Sequence, residues 1–321
     1  MRCAIGIDLG GTGIYGALVD QHGAILADSE AKTPAGEGPE AVFAVMFRLV
    51  RELLDRAPVR PLGIGLGITG LMDRDAGLSI ISPNFANWRN VPVLATFRKE
   101  FDLPVMMDND VRIGCLGELH FGAGRHYRNF LFTALGTGIG GAIVMDRHLY
   151  RGPYGTAGEF GHIPIRTDGD ARCGCGAPGC LESLASGPAI RRRILAALAE
   201  GRDGGVSALR QWPTAEVSAR VLSEAARAGD SLALALWDEI GTDLGLGIAT
   251  YYNLLGPDAV IVGGGVALAG DLLLEPARRV CRERLMPGVR EHIAIVAAEL
   301  GDSAAAIGAA TLIPTLVDEV R

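Results

Sequence analysis

A two-domain α/β protein is what this sequence predicts, and three observations carry the prediction. The chain has 321 residues, more than one compact core usually organises. Short apolar runs of strand character alternate with long stretches of helical period. A block made of a strand, a glycine–threonine turn and a second strand ending in aspartate occurs twice, about 125 residues apart, which is one domain length.

Residues 3–9, CAIGIDL, set Ile5, Ile7 and Leu9 on one side and predict the first strand. Gly10-Gly11-Thr12-Gly13 is a turn, and IYGALVD (14–20) is the returning strand of a hairpin. Gln21-His22-Gly23 turns the chain into a third strand near AILADSEAKT. From Pro39, apolar residues at 42, 45, 46, 49, 50, 53 and 54 give an amphipathic helix with proline in its first turn. PLGIGLGIT (61–69) and LPVMMDND (103–110) read as buried strands, the latter ending in acid and entering a helix that begins VRIGCLGEL. The second copy of the block is NFLFTALGTGIGGAIVMD, 129–146. Helical stretches follow at 186–200 and 214–255, then a strand and glycine turn in DAVIVGGGVALAG (258–270) and a terminal helix over 303–320. The match of IGIDLGGTG to FTALGTGIG is short, so a chance repeat stands as the alternative to a duplicated domain.

Apolar residues at 49% and charged ones at 21% describe a globular chain with a sizeable interior. A net charge of -7 excludes a basic footprint for nucleic acid. Arg191-Arg192-Arg193, beside acidic neighbours, reads as a solvated helix face. The N-terminus lacks the roughly 7–15-residue apolar core of a signal peptide. No apolar run reaches the ~20 residues of a membrane helix. The expectation is a soluble, cytoplasmic protein with no nucleic-acid or membrane partner, its thiols kept reduced.

Three glycine turns leave strands: Asp8-Leu9-Gly10-Gly11-Thr12, Leu135-Gly136-Thr137-Gly138-Ile139-Gly140-Gly141, and Gly263-Gly264-Gly265. Free backbone N–H groups in such turns can cradle phosphate, and Asp8 at a strand end can hold the magnesium that accompanies a nucleotide. An ordinary hairpin turn is the other reading of the first one. Asp110 is either the N-cap of the helix it precedes or a general base that takes a hydroxyl proton, with Asn109 beside it. Ser82-Pro83-Asn84 and Gly158-Glu159-Phe160-Gly161-His162 supply the amide and carboxylate groups that fork between sugar hydroxyls. RCGCGAPGCLE, 172–182, holds three of the six cysteines. Its C-x-C-x4-C spacing departs from the common C-x2-C metal pair, and a metal site, a disulfide and a cluster of small core residues all fit it. Cys3, Cys115 and Cys281 lie in apolar surroundings and read as core.

Together these motifs resemble the ROK family, sugar kinases related to bacterial glucokinase. The resemblance runs almost end to end: D-L-G-G-T at 8–12, T-P-A at 33–35, S-P-N with Trp88 at 82–88, N-D at 109–110, L-G-T-G-I-G-G at 135–141, G-E-F-G-H at 158–162, C-x-C-G-x-x-G-C-x-E at 173–182 and G-G-G at 263–265. It implies the actin-like ATPase (ribonuclease H-like) fold, two α/β domains around a central cleft. The domains are expected at 1–118 plus 300–321 and at 119–299. It further implies structural Zn2+ on His162, Cys173, Cys175 and Cys180, with Asp110 as catalytic base. Asn84, Asn109, Asp110, Glu159, His162 and Glu182 become sugar ligands. Asp8, Gly10, Gly11, Thr12, Thr137, Gly138, Gly264 and Gly265 become contacts for ATP and Mg2+. Two departures stand out: Gly67-Ile68-Thr69-Gly70 where the family often has Gly-x-Pro-Gly, and Gly13 where it often has lysine. The first adjoins the expected sugar site.

The implied activity is ATP-dependent phosphorylation of glucose at its 6-hydroxyl by a homodimer. NFANW (84–88) resembles the glucokinase-type members, and N-acetylmannosamine, fructose and allose are the alternative acceptors. The family also contains sugar-sensing regulators with a helix-turn-helix ahead of the sugar domain. Asp8 stands so near the start of this sequence that an enzyme is the expectation here.

Overall fold

The computed structural model describes residues 1–166 and 171–317. The chain divides into two compact units, Met1–His126 with Arg151–Gly155 and Glu299–Arg321, and Tyr127–Tyr150 with Thr156–Ala298.

Unit 1 runs β1 (Cys3–Leu9), β2 (Gly13–Asp20), β3 (Ile25–Lys32), α1 (Pro39–Asp55), β4 (Ile64–Ile68), β5 (Leu71–Asp73), β6 (Leu78–Ile81), β7 (Arg89–Val91), α2 (Val93–Glu100), β8 (Val105–Asn109) and α3 (Asp110–Phe121). Its main sheet has the order β3-β2-β1-β4-β8. Antiparallel pairing joins β1 to β2 and β2 to β3, while β1, β4 and β8 are parallel. The predicted stripe on α1 is buried: Val42, Met46, Leu49, Val50 and Leu53 pack with Ile5, Ile7, Leu9 and Leu18 of the sheet. A C-terminal helix, Ala304–Ala310, forms a further apolar cluster with Ala4, Ala17 and Val19. It can come so close because the strands beneath carry Gly6 and Gly65. A methyl on either would fall on a helix carbonyl, that of Ala306 or Ala309.

The sequence places a terminal helix over 303–320, but the helix covers Ala304–Ala310. Pro314 has no N–H to continue it and disfavours helical backbone before it, so residues 311–317 are turns and bends. The last part of that expectation, 318–320, lies outside the described residues. The small antiparallel sheet β5-β6-β7 was not legible, because its strands are only three or four residues long. It turns Ser82–Trp88 into a hairpin loop.

Unit 2 runs β9 (Phe130–Leu135), β10 (Ile139–Met145), β11 (His148–Tyr150), α4 (Glu182–Ala185), α5 (Gly187–Ala199), α6 (Ala219–Arg227), α7 (Ser231–Leu255), β12 (Ala259–Gly263), α8 (Asp271–Arg284) and β13 (Ile295–Ala297). The order is β11-β10-β9-β12-β13, again with a hairpin, a third antiparallel strand and two parallel partners. Strand order and sense therefore repeat between the units, as a duplicated domain requires and a chance repeat of one turn does not. The helical stretch 214–255 is two helices. Gly229 takes a left-handed conformation at φ +88, and Asp230 then caps α7 by accepting from the Ala233 amide at 2.9 Å. Among the described residues no helix is long and apolar enough to cross a membrane.

Candidate functional site

In unit 1 the strand ends carry the acids. Asn109, not Asp110, caps α3: its side-chain oxygen accepts from the Val111 and Arg112 amides at 3.0 and 3.4 Å. Asp110 is thus the first residue of the helix, its carboxylate not consumed by capping. Asp108, the other acid of M-D-N-D, is fully buried, with its Oδ2 held by Arg151 Nε and Nη2 at 2.8 and 2.6 Å and Arg112 at 3.6 Å from Oδ1. Asp108 is spent on its arginines. Asp110 accepts a hydrogen bond from Thr69 Oγ at 3.1 Å. Burial raises its pKa, opposed by the Val111 amide and the Thr69 hydroxyl. Asp8, at the end of β1, is raised to about 7, by burial first and then by the charge of Asp110.

The Gly10–Gly13 turn beside these acids closes with a bond from Gly10 N–H to Gly13 C=O at 3.0 Å. Thr33 braces it twice, through its hydroxyl to Gly10 C=O at 2.7 Å and its amide to Thr12 C=O at 3.1 Å. Ala35 C=O then accepts from Ala86 at 2.7 Å, so Thr33-Pro34-Ala35 joins the turn to the 82–88 loop. Asn84 lies against the turn, 3.3 Å from where a Gly11 side chain would begin. Trp88 itself is buried, its ring tilted against that of Phe85 and its Nε1–H donating to Ser79 Oγ at 2.8 Å, which anchors the loop. Asp8, Gly10, Gly11, Thr12, Asn84, Asn109 and Asp110 are thus gathered at one end of the unit 1 sheet.

In unit 2 the corresponding turn closes with Gly136 N–H on Gly138 C=O at 2.9 Å. Gly264, at φ +85, sits against the end of β9, where a side chain would strike Leu135. The 158–162 segment lies on β10 because Gly158 and Gly161 have no side chain to collide with Gly141 and Ile139. That segment ends in exposed His162, and Glu159 is exposed as well. The ligand atoms of His162, Cys173, Cys175 and Cys180 all lie within 4.8 Å of one another. His162 Nδ1 is 3.5 Å from Cys173 Sγ, and Cys175 Sγ is 3.8 Å from Cys180 Sγ. A zinc tetrahedron with Zn–S of ~2.3 Å and Zn–N of ~2.0 Å has edges of about 3.5–3.8 Å, so the donor set fits that ion. The thiols are free, and a sulfur separation of 3.8 Å is far from the ~2.05 Å of a disulfide. Cys3, Cys115 and Cys281 are buried in the core.

Residues 4–315 match the ROK family. The chain belongs to the ROK family. A glucokinase of Thermotoga maritima is 36% identical over 96% of each chain. A ROK family glucokinase from Streptomyces griseus, solved in complex with glucose and AMPPNP, has a TM-score of 0.81 at 33% identity and covers 98% of this chain and 99% of its own. A xylose repressor of Caldicellulosiruptor bescii is 32% identical across 96% of this chain, which spans 77% of the repressor. The fold is accordingly the actin-like ATPase fold of ROK sugar kinases.

Two features of this ROK chain lie beyond the sequence motifs. Thr69, read there only as a departure from Gly-x-Pro-Gly, places its hydroxyl 3.1 Å from Asp110. Glu182 does more than close the cysteine motif: its Oε2 accepts from the Ile139 amide at 3.0 Å and its Oε1 lies 3.3 Å from Cys173 Sγ. One carboxylate thereby links the cysteine cluster to the end of the 136–138 turn. A side chain at 138 would meet this carboxylate, which accounts for Gly138. Motif spacing alone cannot reveal that link, since it joins residues 43 apart.

Proposed function

We propose that this protein is an ATP-dependent sugar kinase that phosphorylates glucose at its 6-hydroxyl. The observation that carries the reading is Asp110: an acid at a strand end, relieved of capping by Asn109, half-buried, and oriented by Thr69. The glucokinase relatives give the substrate class. In this reading Asp110 takes the proton of the attacking hydroxyl, while Asn84 and Asn109 orient the sugar by hydrogen bonds. Within unit 2, Glu159, His162 and Glu182 are the proposed hydroxyl partners.

The amides of Gly10–Thr12 and of the turn at Thr137 and Gly138 are proposed to face the phosphates of ATP, and Gly264 and Gly265 to lie beside its adenosine. Bound magnesium would offset phosphate charge, with Asp8 and Asp110 the carboxylates placed to attract it. Positioning and charge neutralisation supply most of the rate in such a transfer. His162, Cys173, Cys175 and Cys180 are proposed to hold one zinc, which would fasten the loop bearing Glu159 and Glu182. Nδ1 of His162 faces the thiols, which leaves Nε2 for a sugar hydroxyl.

ADP release measured over glucose, N-acetylmannosamine, fructose and allose tests the reading, with polyphosphate as a second donor. Glucose with ATP is expected to give the highest kcat/KM, and Asp110→Asn to abolish most of it. The second reading comes from the xylose repressors. Sugar binding without any phosphoryl transfer, together with specific binding to a DNA duplex, would favour it.

A further inference from the structure

Asp243 stands in the middle of α7 with its side chain fully buried, flanked by Ile240 and Leu244 of the unit 2 core. A charge in such a place has to be paired. Its two oxygens are divided between two arginines. Oδ1 accepts from Arg166 Nε and Nη2 at 3.0 and 2.7 Å, and Oδ2 accepts from Arg193 Nη2. Arg193 belongs to the arginine run that the sequence reads as a solvated helix face, but its side chain turns inward to this carboxylate. Both arginines flank the cysteine motif: Arg166 closely follows His162, and Arg193 is on α5, which begins shortly after Cys180 and Glu182. The stretch that carries Arg166 is itself tied to Cys180. The Ile165 and Arg166 amides donate to Gly179 C=O at 2.9 and 3.3 Å, Pro164 bridges Cys180, and the Leu181 amide donates to Ile163 C=O at 3.1 Å. One helical turn along α7, Gly247 is bare where Phe160, Ile163 and Leu181 pack, each within 3.3 Å of where a side chain would begin. The 243–247 face of α7 is thus the seat of the segments that bear His162 and Cys180.

We propose that Asp243 is a positioning residue for the metal centre: through Arg166 and Arg193 it clasps the segments bearing His162 and Cys180 to α7, so that the ligands are gathered before zinc binds. The inference rests on the reading of His162, Cys173, Cys175 and Cys180 as a zinc site. Ligands spread over residues 162–180 lose conformational freedom when they converge, and any part of that loss already met in folding no longer weakens metal binding. One arginine suffices to balance the charge of Asp243. The second, Arg166, is half-exposed, yet the oxygen it holds is buried, so releasing its segment from α7 strands a buried acceptor. A core ion pair by itself is weak evidence for stability. What this one adds is a fixed place for the chain on either side of the cysteines.

The test reads zinc affinity and release rather than turnover. Protein as purified is challenged with a chromogenic zinc chelator to follow release, and zinc is then titrated back in competition with the same chelator. Wild type is compared with Arg166→Met, Asp243→Asn and a control, Arg210→Met. Arg210 is matched to Arg166: it is 41% exposed against 48%, it holds the buried carboxylate of Asp203 in the same unit, and its other partner is the Leu198 carbonyl. Arg166→Met and Asp243→Asn are each expected to weaken zinc binding and speed its release by about 10–100-fold, and Arg210→Met to do neither. Circular dichroism and a melting curve on each zinc-loaded variant establish folding. Should Asp243→Asn not fold, Arg166→Met decides alone. Affinity and release in folded Arg166→Met within about two-fold of wild type would overturn the proposal, as would an equal change in Arg210→Met. Wild type that takes up no zinc would overturn the metal reading and this inference together, whereas unchanged binding in Arg166→Met overturns the inference alone.

Discussion

The two units have the same strand order and the same tight turn after their first strand, yet they use that turn differently. In unit 1 it sits beside a pair of carboxyls, Asp8 and Asp110, both raised by burial. In unit 2 the same place is taken by Glu182, whose carboxylate accepts from Ile139 and reaches toward Cys173. Close packing on glycine is common to both units. In unit 1, Gly6 and Gly65 on strands and Gly117 on α3 admit the C-terminal helix, and in unit 2 Gly241 and Gly245 on α7 admit α8. The lesson is that topology and turn geometry can be duplicated while chemistry diverges, because the side chains at strand ends are free of the packing that fixes the strands.

The largest expected effect breaks unit 1. Asp110→Asn should lower kcat by roughly 10²–10⁴, the share of a positioned general base, with glucose and ATP binding retained. Turnover within a few-fold of wild type, measured by ADP release on folded protein, would leave Asp110 with no catalytic part.

Next comes unit 2. Purified protein should carry about one zinc per chain, and Cys175→Ala should lose it. KM for glucose should then rise steeply, while nucleotide affinity changes less, because the bond from Glu182 to Ile139 does not pass through Cys175. Elemental analysis, kinetics and a melting curve together check this. A metal-free, folded, fully active variant would remove the cysteines from the sugar site.

A packing test sharpens the contrast. Gly65→Ala places a methyl on a helix carbonyl and should cost about 1–3 kcal/mol in denaturant unfolding. Gly245→Ala meets the Ala277 backbone at 2.6 Å, but alanine gains up to about 1 kcal/mol in a helix interior, so its loss should be the smaller. Equal losses would deny the distinction.

The last test is of stability against pH. Unfolded aspartate titrates near ~3.9 and folded Asp8 at about 7. Between those values the folded state keeps a proton that the unfolded state has released, so stability falls as pH rises through the window. Asp8→Asn should therefore raise Tm at pH 8 and change it little at pH 4, while phosphoryl transfer declines. Calorimetry at the two pH values checks it.

The sequence alone determined the apolar runs of β1 and β9, the apolar stripe of α1 and the glycine turns, because those depend on residues a few positions apart. It also determined which residue types gather into motifs, and so which acids, amides and thiols could form a site. Tertiary structure decided which neighbour does what. Asn109 rather than Asp110 caps α3, Asp108 is consumed by Arg151, and Thr69 meets Asp110 across 41 positions. The short strands β5–β7 pair with one another in a sheet of their own, and Pro314 cut short a helix that periodicity alone would extend. These outcomes rest on hydrogen bonds and close contacts between distant segments, and spacing along a chain holds no record of which lone pair a given proton will find.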